Sequence, residues 1–162
     1  MPPFAIDGPV GRAVQRFAGH PTFARYAPRV LSPVDRTLNR VTGGRVMLSK
    51  FLLPSLVLTT TGARSGLARE TPLMCVPDDD GTFVVVGSNF GREGHPAWTG
   101  NLLKDPDAEV ARGGKVTPVR AELLEGEERA RAWAAALARW PTFDRYQARV
   151  DREIRIFRLH PR

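Results

Sequence analysis

The stretch Leu56-Val57-Leu58-Thr59-Thr60-Thr61-Gly62-Ala63-Arg64-Ser65-Gly66-Leu67-Ala68-Arg69 decides the fold of this chain. Its first six residues are apolar or β-branched, which suits a pleated, half-buried surface. The glycine-bounded segment 62–66 reads as a turn, and a second extended run occupies residues 68–76. Downstream, Asp78-Asp79-Asp80-Gly81 carries the Asp-Gly hairpin signal and leads into another apolar run at 83–86. Two hairpins therefore share a middle strand.

Beyond them lies a polar, glycine-rich loop, Gly87-Ser88-Asn89-Phe90-Gly91-Arg92-Glu93-Gly94. Pro96 opens a short helix that runs to Lys104 and stops at Asp105-Pro106. Strands are expected at 108–112 and 116–124, joined by Gly113-Gly114. Glu127-Glu128 and Arg139 suit the two ends of a helix dipole, and Trp133, Leu137 and Trp140 face inward from that helix. A last strand is expected at 154–160. About six strands joined mostly by hairpins, with helices inserted, specify an α+β fold around a small antiparallel barrel.

Upstream, Ser32-Pro33-Val34-Asp35 begins a helix that Gly43-Gly44 ends. Val30, Val34, Leu38 and Val41 share one face, with Arg29, Arg36 and Arg40 nearly opposite. The chain divides into a basic amphipathic extension, residues 1–45, and a barrel domain, residues 46–162. The extension reads either as a helix covering an edge of the core or as one lying on an anionic membrane surface.

Composition narrows the function. With 162 residues, 42% of them hydrophobic and 25% charged, the chain has ordinary globular usage and room for one well-buried domain. Its net charge of +7 is uneven: residues 1–50 carry eight basic and two acidic side chains. An anionic partner is admitted, but no nucleic-acid reading motif is present, so none is expected. Neither a secretory signal nor a membrane-spanning run is visible, and the expected location is the cytoplasm, with a peripheral place at the inner face of the membrane as the alternative. The single cysteine, Cys75, lies in an apolar run and reads as buried and inert.

His20, His95 and His160 are scattered and Cys-x-x-Cys is missing, so no metal site is expected. No nucleophile elbow surrounds Ser65 or Ser88, and the Gly62 turn lacks the ending of a phosphate-binding P-loop. What remains is a pair of turns suited to an anion. The first offers backbone N–H groups between Gly62 and Gly66, together with the guanidinium forks of Arg64 and Arg69. The second, residues 88–95, precedes a helix N-terminus.

The segment Thr59 to Arg69, followed by Pro72-Leu73, resembles the hallmark stretch of the deazaflavin-dependent nitroreductase family. Gly87-Ser88, His95-Pro96-Ala97-Trp98 and Asn101-Leu102 resemble its second block, and the likeness extends from about Val46 to the C-terminus. The resemblance implies a split β-barrel, like the FMN-binding barrels, that binds the deazaflavin coenzyme F420. It implies an oxidoreductase that passes a hydride from the reduced coenzyme to an electron-poor small-molecule acceptor: a quinone, an enone or a nitroaromatic. An FMN enzyme of the same fold and a non-catalytic coenzyme carrier are the alternatives, and either a monomer or a homodimer is compatible.

By the same resemblance, Arg64, Ser65, Gly66 and Arg69 hold the coenzyme's phosphate and the start of its acidic tail, and Pro72 flanks the ring. Ser88, Asn89 and Gly91 line the coenzyme, with Trp98 and Asn101 behind them. For Trp98, packing against Leu102 is an equal alternative. Met74, Trp140, Phe143 and Tyr146 are expected on the acceptor side, with Ser88 and Tyr146 as the catalytic donors. For the aromatic run, core packing of the last helical segment is equally open. Ala63 stands where many members carry a second adjacent basic residue, and Asn89 where a lysine can occur.

Overall fold

The computed structural model describes Thr22, Thr37, Val41 and residues 55–162. The amphipathic stripe expected at 29–41 and its membrane contact lie, apart from two of these exposed positions, outside the described residues. Among the described residues six strands form the domain: β1 (Ser55–Thr61), β2 (Ala68–Pro77), β3 (Phe83–Val86), β4 (Asp107–Arg112), β5 (Lys115–Leu123) and β6 (Ile156–Pro161). They close into a barrel in the order β1-β2-β3-β6-β5-β4, and every pairing is antiparallel. Helix α1 (Ala97–Lys104) lies between β3 and β4, while α2 (Gly126–Arg139) and α3 (Thr142–Gln147) lie between β5 and β6.

Alternation along the strands divides the apolar residues into two cores. Leu56, Leu58, Cys75, Val85, Val110, Val119, Phe157 and Leu159 fill the barrel with Trp98 and Leu102 of α1. Val76, Val84, Val86 and Ile156 point outward and are covered by Ala132 and Ala136 of α2, Trp140, and Phe143 and Tyr146 of α3. Burial pushes the Cys75 thiol up to about 11, so it stays protonated and unreactive at neutral pH.

Two boundaries differ from the sequence pattern. The last helical segment is two helices, because Trp140 precedes Pro141 and takes an extended backbone (φ −142°, ψ 83°) that ends α2. The final strand starts at Ile156, not 154. The preceding backbone turns instead toward α3, where the Ile154 N–H donates to Gln147 Oε1 at 3.1 Å.

Candidate functional site

Two turns and the helix between them make up the candidate site. In the β1–β2 turn, the Gly62 N–H donates to Leu67 O and the Gly66 N–H to Gly62 O, both at 2.8 Å. Arg64, Ser65, Gly66 and Arg69 are all exposed, and Arg69 Nη2 donates to Ser65 Oγ at 3.3 Å. A Cβ at Gly62 would meet Ser65 Oγ at 2.6 Å and Leu67 O at 3.1 Å, so only glycine allows the turn to curl this tightly.

Helix α1 braces that turn. Asn101 Oδ1 accepts from the Ala63 N–H at 2.8 Å, and its Nδ2 donates to Thr60 Oγ1 at 2.9 Å. The buried Asn101 amide is thus committed to holding β1 and the turn, a bracing place compatible with the supporting position behind the coenzyme that the resemblance implies. One helical turn away, Lys104 Nζ donates to Ala63 O at 2.6 Å. Sequence reasoning missed this lysine: it brings a cation from 41 residues away to the residue that lacks a basic side chain.

At the other end of α1 lies the loop after β3. The Gly87 N–H donates to Arg155 O at 2.8 Å, and Thr99 Oγ1 accepts from Arg155 Nη1 at 3.3 Å. Ser88 is 8% exposed, and its hydroxyl makes no capping bond to the turn that follows it. Asn89 Nδ2 donates across the loop to Gly94 O at 2.8 Å, and the Gly91 N–H donates to Ser88 O at 2.9 Å. The Gly91 donor expected to meet a ligand is therefore taken by the loop itself.

His95 Nδ1 lies 3.2 Å from Arg152 Nη1, and since a guanidinium only donates, the ring nitrogen accepts and the imidazole is neutral there. Burial, reinforced by the charges of Arg155 and Arg152, holds it below the usual histidine range. The unfolded chain, titrating near about 6.5, binds the proton more readily. The contribution to stability is therefore complete above about pH 6.5 and is lost as the pH falls below it. Wild-type protein is expected to lose more thermal stability between about pH 7.5 and 5.5 than His95→Gln, which keeps an acceptor and does not titrate. A fluorimetric melt of both proteins at the two pH values checks this.

The residues expected on the acceptor side do meet. Met74 packs against the cluster of Trp140, Phe143 and Tyr146. Pro72 shares the outer face of β2 with Met74, two residues along. Tyr146, however, is only 2% exposed, with its ring edge-on to Phe90 and Phe143 and the Arg149 guanidinium 5.9 Å from its centre. Burial pushes its phenol up to about 12 against a hydrogen bond from Trp140. Core packing, one of the two expectations, is what this conformation shows. Trp98 likewise lies in the barrel core at 4% exposure, its ring centre 5.7 Å from that of Phe157.

The chemistry of the first turn fits an anionic arm. Segment 62–69 contains Arg64, Arg69 and the Ser65 hydroxyl without a carboxylate, and Lys104 adds a third cation. No described ion pair engages any of the three. Among the described residues no group of three or more His, Cys, Asp or Glu side chains is arranged to hold a metal, and no helix is long and apolar enough to cross a membrane.

Several known proteins are similar to this chain in sequence and fold. The F420H(2)-dependent quinone reductase Rv1261c of Mycobacterium tuberculosis is 34% identical over 104 residues, 62% of this chain and 69% of its own length. Rv3178 of the same species is 33% identical over 110 residues, 68% of this chain and 92% of its own. A solved structure described as an F420-H2 dependent reductase, FDR-A, superimposes with a TM-score of 0.60 at 39% identity, covering 66% of this chain and 94% of that one. Another, described as a domain-swapped dimer, gives 0.63 at 35% identity, covering 78% and 96%. The family model for F420H(2)-dependent quinone reductases matches residues 32–161. That match takes in the whole barrel and both turns, and this chain belongs to the F420H(2)-dependent quinone reductase family, the F420-using oxidoreductases.

Proposed function

We propose that the chain reduces a quinone with F420, holding the acidic arm of the coenzyme at the β1–β2 turn and its ring at the Ser88 loop. The observation that carries this reading is the bracing of both turns by one helix, with Lys104 and Asn101 on the cationic turn and Thr99 beside Gly87. When bound, reduced F420 supplies a hydride. The balance is simple: the hydride adds to the quinone as two electrons and one proton, the resulting monoanion takes a second proton from water, and water recovers one from the coenzyme as it is oxidised.

The protein then has three tasks: to orient, to exclude water and to stabilise the negative charge that forms. Arg64, Arg69 and Lys104 orient by charge, and the Ser65 hydroxyl adds a donor. Pro72, Met74, Trp140 and Phe143 supply the apolar wall. Ser88, whose hydroxyl is not tied up in capping, is the side-chain donor next to the ring. Tyr146, packed against Phe90 and beneath Gly91, supports the loop from below.

The test is a fluorescence titration of the purified protein with F420 and with FMN, followed by turnover with reduced F420 and a short-chain naphthoquinone. F420 binding tighter than FMN by about tenfold or more, with quinone-dependent oxidation, is the expected result. Equal FMN affinity or absent turnover overturns it. Two variants refine the assignment. Lys104→Ala should weaken F420 binding about three- to tenfold, less as salt rises, as befits one exposed cation. Tyr146→Phe should leave turnover within about threefold while costing roughly 0.5–1.5 kcal/mol of stability, the net value of one hydrogen bond. A tenfold loss of turnover at unchanged stability would return Tyr146 to the reacting centre.

A further inference from the structure

Arg152 lies in the segment between α3 and β6, more than fifty residues along the chain from the loop after β3, yet its guanidinium is spent almost wholly on that loop. Nη1 donates to Gly87 O at 3.3 Å, and Nη2 donates to Ser88 O at 3.0 Å. Nη2 and Nε donate to Arg92 O at 3.0 and 3.3 Å, and Nη1 reaches His95 Nδ1 at 3.2 Å. One side chain thus grips both ends of the loop. Its own backbone is fixed in turn, because Gln147 Nε2 donates to Arg152 O at 2.9 Å from α3.

What lies between those ends is strained. Asn89, Phe90 and Gly91 have φ of 49°, 56° and 72°, three successive residues in the left-handed region. Asparagine and glycine tolerate that backbone far more readily than phenylalanine does. Gly91 has no alternative, since a Cβ there would meet Tyr146 Cα at 3.0 Å and Tyr146 O at 3.1 Å. A backbone of this kind persists only where its surroundings over-determine it. Here the surroundings are α3 beneath the loop and the Arg152 fork across its mouth.

We propose that Arg152 is the positioning residue of the coenzyme loop, clamping residues 87–95 in a strained form that presents Ser88 and Asn89 before the coenzyme arrives. The proposal rests on the reading of this loop as the ring-binding side of the site. Arginine is required because three nitrogens of a planar fork meet carbonyls on two sides, which a lysine ammonium cannot do. With the clamp in place, coenzyme binding need not order the loop, so affinity is higher than the contacts alone would give.

The experiment compares wild type, Arg152→Ala and Arg152→Lys, first without coenzyme by hydrogen exchange and then by F420 fluorescence titration. In both variants, exchange in peptides covering 87–95 should quicken about tenfold or more, while the β4–β5 hairpin keeps its protection. F420 affinity should fall about tenfold, a loss that the lysine variant shares. Guanidinium ion at about 20 mM, far below denaturing levels, should restore part of the affinity to Arg152→Ala and leave wild type unchanged. If the alanine variant fails to fold, the lysine variant carries both measurements. Unchanged exchange in the loop would overturn the clamp, as would a loosened loop that binds F420 with wild-type affinity. Wild-type protein that does not bind F420 would overturn the coenzyme reading and the presenting role together, while the exchange arm would still decide whether Arg152 holds the loop.

Discussion

Replacing both Arg64 and Arg69 with alanine should weaken F420 binding by about 2–4 kcal/mol, roughly 30- to 700-fold, as expected for two charge-assisted contacts to phosphate or carboxylate. Both side chains are exposed on a turn that is held together by backbone bonds, Asn101 and Lys104, so the fold should survive their removal. The melting temperature should change little. Solvent screening makes the loss salt-dependent: it should be largest at low ionic strength and shrink as salt approaches molar levels. Fluorescence titration across a salt series measures it. Wild-type affinity in the double variant at low salt would place the anionic arm elsewhere on the molecule.

The second large effect is on stability. Trp98 is 4% exposed inside the barrel, packed on Phe157 beside Leu102, and it anchors the helix that braces both turns. Trp98→Ala leaves a cavity at the centre of that core, and a loss of about 3–5 kcal/mol is expected. For a domain of this size the melting point should fall by roughly 10–20 °C. Trp98→Phe keeps an aromatic ring on Phe157 and should recover most of the loss, with F420 affinity within about twofold of wild type. A phenylalanine variant that is stable yet binds F420 about tenfold more weakly would move Trp98 from the core into the coenzyme wall. Denaturant unfolding and coenzyme titration, run on the same samples, separate the two roles.

These expectations draw unequally on sequence and structure. The hairpins around Gly62 and Asp79–Gly81 were legible because turn chemistry and alternation are local properties. The cationic make-up of the first turn is legible too, since Arg64, Ser65 and Arg69 lie within six residues. Asn101 stands out in the sequence, but its bracing contacts do not, because its partners Thr60 and Ala63 lie 41 and 38 residues away. Lys104 and Arg152 escaped notice for the same reason. An isolated basic residue at a helix end or in a connecting segment has the appearance of solvated charge until the barrel closes. Tyr146 shows an ambiguity of another kind. An aromatic every third residue suits both an open wall and a core face, and spacing alone cannot weigh them.

Helix α1 has one more consequence. Its eight residues extend about 12 Å, and its ends are fixed to the loop at Gly87 and to the turn at Ala63. The spacing between the two turns is therefore a property of a rigid rod, insensitive to motion of either turn alone. A molecule that engages both must carry its ring and its negative charge at a matching separation. Under the function proposed above, the protein would in effect measure its ligand, and a compound with the right ring on a spacer of the wrong length would bind weakly.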